Sequence, residues 1–397
     1  MAGQGDGAPL PAEGLAAALG PFGESRLLPR AAYVDQAVFE WEQRHFFRGG
    51  WMCVGRSEEV AHVGDQRAES VGGAGVFLVR GEDRRLRAFA NTCRHRGHEL
   101  LPCGESRNRH VVVCPYHSWS YRLDGSLRNA PRFDGWSTFA PEENGLAELP
   151  VEEFHGLVFV AASGHASPLR QHLAGLDGLV APYEPERLRI GADHDYVVEA
   201  NWKVVIENYQ ECYHCPMIHP ELCAVSPPRS GENYPVPDAK TGSWVGGWMA
   251  LRDGANTMSL RGKSDGTVLR GLDDQGRREV IYLVVFPNVL LSLHPDYVMT
   301  HLLTPLGPGR TRVRCSWSFS PEDLEGPEFD PSYAADFWDI TNRQDFSACE
   351  SVQRGLASEH WVPGQLGPDE DGVYQFVTMV ARAYRGTSVT AGSHPGA

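Results

Sequence analysis

Cys93-Arg94-His95 and Cys114-Pro115-Tyr116-His117, separated by the stretch 96–113, are the motifs on which the reading of this chain turns. Each is a short loop that carries one thiol and one imidazole. Soft thiolates with imidazoles suit zinc or iron–sulfur chemistry. Two cysteines on one iron and two histidines on the other make a [2Fe–2S] centre. Its neutral imidazoles leave less negative charge on the cluster and raise its reduction potential. Zinc is the competing reading, because Cys2His2 is also a common zinc set. Zinc fingers, however, usually pair Cys with Cys and His with His along the chain, whereas each loop here holds one of each. The flanks agree with tight ligand loops: Arg96-Gly97 after the first pair, Pro115 inside the second, then Trp119, Tyr121 and an Asp124-Gly125 turn.

A second motif lies further on, in the segment 201–220. Its core is E-x-x-H-x4-H: Glu211, His214 and His219. The spacing predicts a helix with Glu211 and His214 on one face. Pro216 is expected to end that helix, so that His219 reaches back from the following turn. Two histidines so placed fill two positions of a 2-His-1-carboxylate iron site, which keeps other positions open for oxygen. A carboxylate is then needed from far along the chain. Asp345, Asp339 and Asp336 are the candidates, all on one predicted helix, which starts after Pro331 and ends at Gly355.

Together these segments resemble the catalytic α subunit of the Rieske non-haem iron oxygenases, over most of the chain from about Phe47 to Tyr384. The E-C-Y-H-C form, Glu211 to Cys215, looks most like the choline, carnitine and glycine betaine oxygenase branch. The resemblance implies that Cys93, His95, Cys114 and His117 hold a [2Fe–2S] Rieske cluster. It implies that His214, His219 and Asp345 hold a mononuclear Fe(II). Asp345 stands a few residues before Cys349-Glu350-Ser351-Val352-Gln353-Arg354-Gly355, which matches the family's C-E-x-x-Q-x-G run. Glu211 would be an inter-subunit electron bridge, accepting hydrogen bonds from His117 of one subunit and His214 of the next in a ring-shaped homotrimer. A carboxylate suits that task because it accepts from both N–H groups. Glu in place of the commoner Asp lengthens this bridge by one methylene.

The rest of the chain sets limits. At 397 residues it has room for two domains. The expected organisation is an N-terminal segment and helix, 1–49, belonging to the catalytic domain; an antiparallel β Rieske domain, 50–165; and a catalytic domain, 166–397. The last is expected as a helix-grip: a curved antiparallel sheet packed on a long helix, α+β overall. Predicted strands include 76–79, 110–113, 157–160, 280–286, 289–293 and an alternating, half-buried 311–319; a further helix is expected near 369–385. No apolar run spans a bilayer. The N-terminus lacks a basic and an apolar region, so a cytoplasmic protein is expected. Nine cysteines show no disulfide framework. Cys212 and Cys215 match C-x-x-C, but a redox role is set aside because His214 between them is committed to metal. A formal charge of −15 argues against nucleic acid.

Function follows from the two metals. An open Fe(II) activates dioxygen when electrons arrive singly, and the cluster stores one. The chain has no Gly-rich nucleotide fingerprint, so a separate NAD(P)H reductase is expected, directly or through a ferredoxin. The resemblance points to a quaternary or N-methylated amine, hydroxylated with N-demethylation as one outcome. Aromatic faces would hold such a cation. Trp244, Trp248, Tyr282, Phe286, Tyr297 and Trp338 are the candidates. The alternatives are hydroxylation or O-demethylation of an aromatic or natural product, a non-catalytic Rieske electron carrier, and a zinc-stabilised binding protein.

Overall fold

Apolar runs of period two, broken by Gly and Asp turns, form short strands, and the one long stretch of helical period forms one long helix. A computed structural model describes residues 7–235 and 243–386. These divide into two units: 43–169, and residues 7–42 together with those from 170 onward.

The smaller unit is antiparallel β. A five-stranded sheet runs in the order Ser106–Asn108, Asp65–Val71, Ala74–Arg80, Leu86–Ala90, Glu148–Leu149. Two three-stranded sheets accompany it. One holds Met52–Arg56, Leu157–Val160 and Val151–Phe154; the other is the meander Val112–Val113, Ser120–Tyr121, Leu127–Asn129. The expected strand at 110–113 shrinks to Val112–Val113, which pair with the two-residue strand Ser120–Tyr121. Phe77, Phe89, Trp119, Tyr121 and Leu123 pack as one core, and Cys93 and Cys114 belong to it. The two sulfurs are therefore set by core packing, although their loops lie at the surface.

The larger unit is built on a seven-stranded antiparallel sheet. In chain order its strands are β1 (Arg189–Val198), β2 (Glu232–Asn233), β3 (Trp244–Ala250), β4 (Glu279–Val285), β5 (Val289–Leu293), β6 (Val298–Gly307) and β7 (Arg310–Phe319). The spatial order is β1-β7-β6-β5-β4-β3-β2. The alternation expected for β7 holds only in its first half; Ser316–Phe319 is buried on both faces, because helices cover the sheet there. The helices that position the site are α1 (Trp202–Tyr209), α2 (Cys215–Ile218), α3 (Pro220–Val225), α4 (Ser332–Leu356) and α5 (Asp371–Tyr384). The helix α4 lies against α1 and β1, and its Phe337 and Trp338 share a core with Trp317 and Phe319 of β7. This is the α+β helix-on-curved-sheet arrangement that the resemblance implies. Gly355 does not end α4, which runs to Leu356. No described helix is long and apolar enough to cross a membrane.

The helix α1 is held unusually firmly. Asn201 caps it by accepting from Lys203 N at 3.0 Å. Lys203 and Glu42 are both fully buried and meet at 2.5 Å. Trp202 Nε1 donates to the same carboxylate at 2.9 Å, and Tyr384 of α5 donates to it as well. Burial drives Lys203 down, and Glu42, with Glu207 behind it, opposes the shift. Removing either partner alone would strand a buried charge, at a cost of roughly 3–5 kcal/mol. The segment that leaves α1 carries the second motif.

Candidate metal centres

The two cluster loops share one hydrogen-bond plan. Cys93 N donates to His98 O at 2.8 Å, and Gly97 N to Cys93 O at 3.0 Å. Cys114 N donates to Trp119 O at 2.8 Å, and Ser118 N to Cys114 O at 3.1 Å. Each turn closes on a left-handed residue, Gly97 at φ 73° and Ser118 at φ 60°. Glycine takes that conformation freely, and serine takes it with strain. Buried Asn91 anchors the first loop, accepting from Leu100 N at 3.1 Å and donating to Leu101 O at 2.7 Å.

The four side chains converge. The rings of His95 and His117 are 4.6 Å apart, edge to face. His95 stacks on Trp119 at 4.9 Å and 7°. Its Nδ1 is buried and has no hydrogen-bond partner, which is costly unless the atom binds something else. Burial pushes the Cys114 thiol up, and neighbouring Cys93 adds to the shift. A buried thiol held up in this way beside a second sulfur fits a shared cation better than a free thiolate. Desolvation, then His95, lowers His117, which favours the neutral ring that metals bind. Tyr121 Oη accepts from Arg94 N at 3.0 Å and lies 3.2 Å from Cys93 Sγ, leaving its proton for the sulfur. The donor set fits an iron–sulfur cluster.

The second motif is not helical. The helix α1 ends at Tyr209, and Glu211–His214 form a turn before α2. Pro216 begins α2 instead of ending a helix, because a residue in the first helical turn needs no N–H. The shared placement of Glu211 and His214 comes from the turn. Glu211 Oε2 accepts from the main-chain N–H of Tyr213 and, at 3.1 Å, from that of His214; Oε1 accepts from His214 Nδ1 at 2.6 Å. His219 stands between α2 and α3.

Asp345 is the carboxylate that meets the two histidines. Its Oδ1 lies 2.8 Å from His219 Nε2 and 3.3 Å from His214 Nε2, and the two Nε2 atoms are 3.1 Å apart. The three ligand atoms fall within 4.8 Å of one another, as a common metal requires. On α4, Trp338, Thr341 and Asp345 form an i, i+3, i+7 stripe, and all three line one cavity. Asp339 is off that stripe, accepting from Tyr196 Oη and Arg343 Nε at 2.7 Å each. Asp336 is exposed.

Both rings are set for metal through Nε2. His214 Nδ1–H is given to Glu211, and His219 Nδ1–H to Gln344 Oε1 at 2.7 Å. Such partners fix the tautomer and raise the basicity of the ring. Burial opposes a charged His214, but Asp345 and Glu211 outweigh it and carry the group up to about 9. Burial would raise Asp345, yet the two histidines hold it below the usual carboxylate range. A cation belongs among these groups.

Two features escape a sequence reading. Gln344 is an ordinary helix former beside Asp345, and only the fold turns it to His219. Cys212 and Cys215 are joined by a disulfide, their Cα atoms 4.9 Å apart. This corrects the expectation that the cysteines show no disulfide framework. His214 engages Glu211, His219 and Asp345 through ring atoms, while the sulfurs close the turn beneath it, so the two roles do not compete.

The triad lines a cavity of about 1260 Å³. Trp248, Tyr282 and Trp338 line it as expected, joined by Tyr209 and Tyr213. The other three candidates do not. Trp244 Nε1 donates to Ala174 O at 2.9 Å, Phe286 packs on Trp202, and Tyr297 donates to Met258 O at 2.9 Å. All three are buried in the core.

Residues 50–141 match the Rieske [2Fe-2S] domain family, and residues 185–386 match the ring hydroxylating alpha subunit (catalytic domain) family. The chain belongs to the Rieske ring-hydroxylating oxygenase family. It is 32 % identical to the glycine betaine monooxygenase oxygenase subunit of Chromohalobacter salexigens, over 89 % of this chain and 86 % of that one. It is 38 % identical to the carnitine monooxygenase oxygenase subunit of Escherichia coli K12, over 50 % of this chain and 53 % of that one. A crystal structure of a quaternary ammonium Rieske monooxygenase with an inhibitor matches at TM-score 0.79 and 27 % identity, covering 94 % of this chain and 99 % of that one. The chain is thus a Rieske non-haem iron oxygenase, an oxidoreductase whose cofactors are a [2Fe–2S] cluster and a mononuclear iron. The zinc and electron-carrier readings fall away. As an oxygenase component it needs a separate reductase and a small-molecule substrate.

Proposed function

We propose that this oxygenase hydroxylates a quaternary or N-methylated amine at a carbon beside nitrogen, with N-demethylation as an outcome. The observation that carries the reading is the triad His214, His219 and Asp345 on the wall of an aromatic cavity. Cys93, His95, Cys114 and His117 are the cluster ligands in this reading, and the triad holds the iron. Bound there, the two groups supply dioxygen activation and one-electron delivery. The chain supplies the rest. Glu211 and Gln344 hold both imidazoles in the Nε2-facing tautomer. Tyr209, Trp248, Tyr282 and Trp338 offer ring faces that attract a cation and exclude water. Among the described lining residues, Glu211, Glu232, Asp345, Asp369 and Asp371 outnumber the cationic Arg229, itself paired with Asp369 at 2.6 Å. That surplus draws in a positive substrate.

Replacing Tyr282 by Leu tests the cage. The KM for the preferred methylated ammonium is expected to rise about 2- to 30-fold, with kcat little changed. A neutral carbon isostere of that substrate should lose almost nothing. Equal losses for both would remove the cation from the account.

The same reading makes the oxygenase a cytoplasmic homotrimer fed by an NAD(P)H reductase, directly or through a ferredoxin. Glu211 is its bridge between subunits. The carboxylate already accepts from His214, and its oxygens have lone pairs left for His117 of a neighbouring copy. Glu211→Gln keeps the size but loses the charge and one acceptor. Both metals should stay bound, while reoxidation of a pre-reduced cluster with substrate and oxygen slows at least tenfold in single turnover. Unchanged reoxidation, or an active monomer by light scattering, would contradict the bridge.

A further inference from the structure

We propose that Cys212 and Cys215 are a redox modification site that governs how tightly the neighbouring triad keeps its iron. The inference rests on the reading of His214, His219 and Asp345 as that iron site. Three observations carry it. The disulfide closes Cys212-Tyr213-His214-Cys215 into one small ring around the backbone of a triad histidine. Cys215 is 3 % exposed, and its Sγ lies 3.9 Å from His214 Nε2, the atom that faces the metal. Both cysteines line the cavity, and Cys212 is only partly buried, so a reductant can approach Cys212 through the same opening as substrate.

The chemistry is thiol–disulfide exchange with a dithiol reductant. One thiol of the reductant attacks the Cys212 sulfur, and the Cys212–Cys215 bond breaks. A mixed disulfide forms, which the second reductant thiol displaces. The reductant loses two electrons and two protons, and the pair gains both as two thiols. Oxidation by a disulfide of the same class reverses the step.

The disulfide restricts the turn that presents His214. Once it opens, the turn is held by Glu211 accepting from Tyr213 N and His214 N and by Cys215 N donating to Cys212 O at 3.2 Å. His214 then samples positions away from His219 and Asp345, and iron is kept less well. Cross-linking so short a loop, together with the ordering of a ligand's surroundings, corresponds to an effect of about tenfold.

The test uses iron-loaded, full-length protein prepared anaerobically in two states, with a dithiol and with a small disulfide. Differential alkylation and peptide mass establish the state of Cys212 and Cys215. Release of mononuclear Fe(II) to a chelator is then followed, with the visible absorbance of the cluster as an internal control. The disulfide form is expected to release iron about tenfold more slowly than the dithiol form. A Cys212→Ser/Cys215→Ser protein should release at the dithiol rate after either treatment. Equal release from the two verified wild-type states, or a pair that cannot be interconverted in the folded protein, would overturn the proposal. Absence of chelatable mononuclear iron in both states would instead overturn the reading of the triad, and this proposal with it.

Discussion

Cys93→Ser or His117→Ala abolishes the visible and electron-paramagnetic signature of the [2Fe–2S] cluster while the β fold of the smaller unit persists. The loss is expected to be complete, because each ligand is one of the four that the cluster needs and nothing beside it can substitute. Buried Cys93 contacts Tyr121 Oη, and serine would keep that contact while failing as a soft ligand. The fold survives because its core of Phe77, Phe89, Trp119, Tyr121 and Leu123 does not depend on the ligand atoms. His117 adds little packing. Far-ultraviolet circular dichroism should therefore change little. Retention of the cluster spectrum in either variant would contradict the ligand set.

Asp345→Ala is expected to lose the mononuclear iron and all oxygenation, yet keep the cluster spectrum. Iron per chain should fall from about three to about two. The carboxylate supplies the only negative ligand of the triad and draws the two Nε2 atoms together, so alanine leaves two imidazoles with no anion between them. Full activity in Asp345→Ala with loss in Asp339→Ala would move the third ligand. The metal-free proteins add a pH signature. His214 is raised from 6.5 to about 9, so its contribution to stability is fully present below about pH 6.5 and is lost as pH rises through about 9. Thermal melts of the metal-free wild type should fall across that window. Metal-free Asp345→Ala, lacking the hydrogen bond that contributes most to raising His214, should show a shallower fall.

The parts of this molecule legible in the sequence are those whose chemistry is local. C-x-H and C-x-x-H specify donors on tight turns whatever surrounds them, and both loops adopt the same hydrogen-bond plan. Asp345 is singled out through the resemblance, by its place a few residues before Cys349-Glu350-Ser351-Val352-Gln353-Arg354-Gly355, and the fold sets it 2.8 Å from His219 Nε2 and 3.3 Å from His214 Nε2. The helix expected around Glu211 and His214 was not formed. The i, i+3 spacing is equally well met by a carboxylate-capped turn, and proline in a first helical turn starts a helix as readily as an interior proline stops one. The cage was half legible. Aromatics on neighbouring strands look alike in sequence, and alternation cannot separate Trp244 from Trp248, which are four apart on one strand; only the fold shows that Trp248 and Tyr282 line the cavity while Trp244 and Phe286 are buried. Gln344 depends on tertiary placement, and nothing in its local sequence distinguishes it from a solvated helix residue; the Cys212–Cys215 bond has a local signal in C-x-x-C, which is set aside in favour of the metal role of His214.

A single turnover of the pre-reduced oxygenase under 18O2 tests the central claim most directly, with a panel of methylated amines and aromatic acids as candidate substrates and mass spectrometry of the products. The account predicts that one quaternary or N-methylated amine is consumed, that its hydroxylated or demethylated product carries one 18O atom before exchange, and that Asp345→Ala gives none. An aromatic acid oxidised while every methylated amine is recovered unchanged would contradict it.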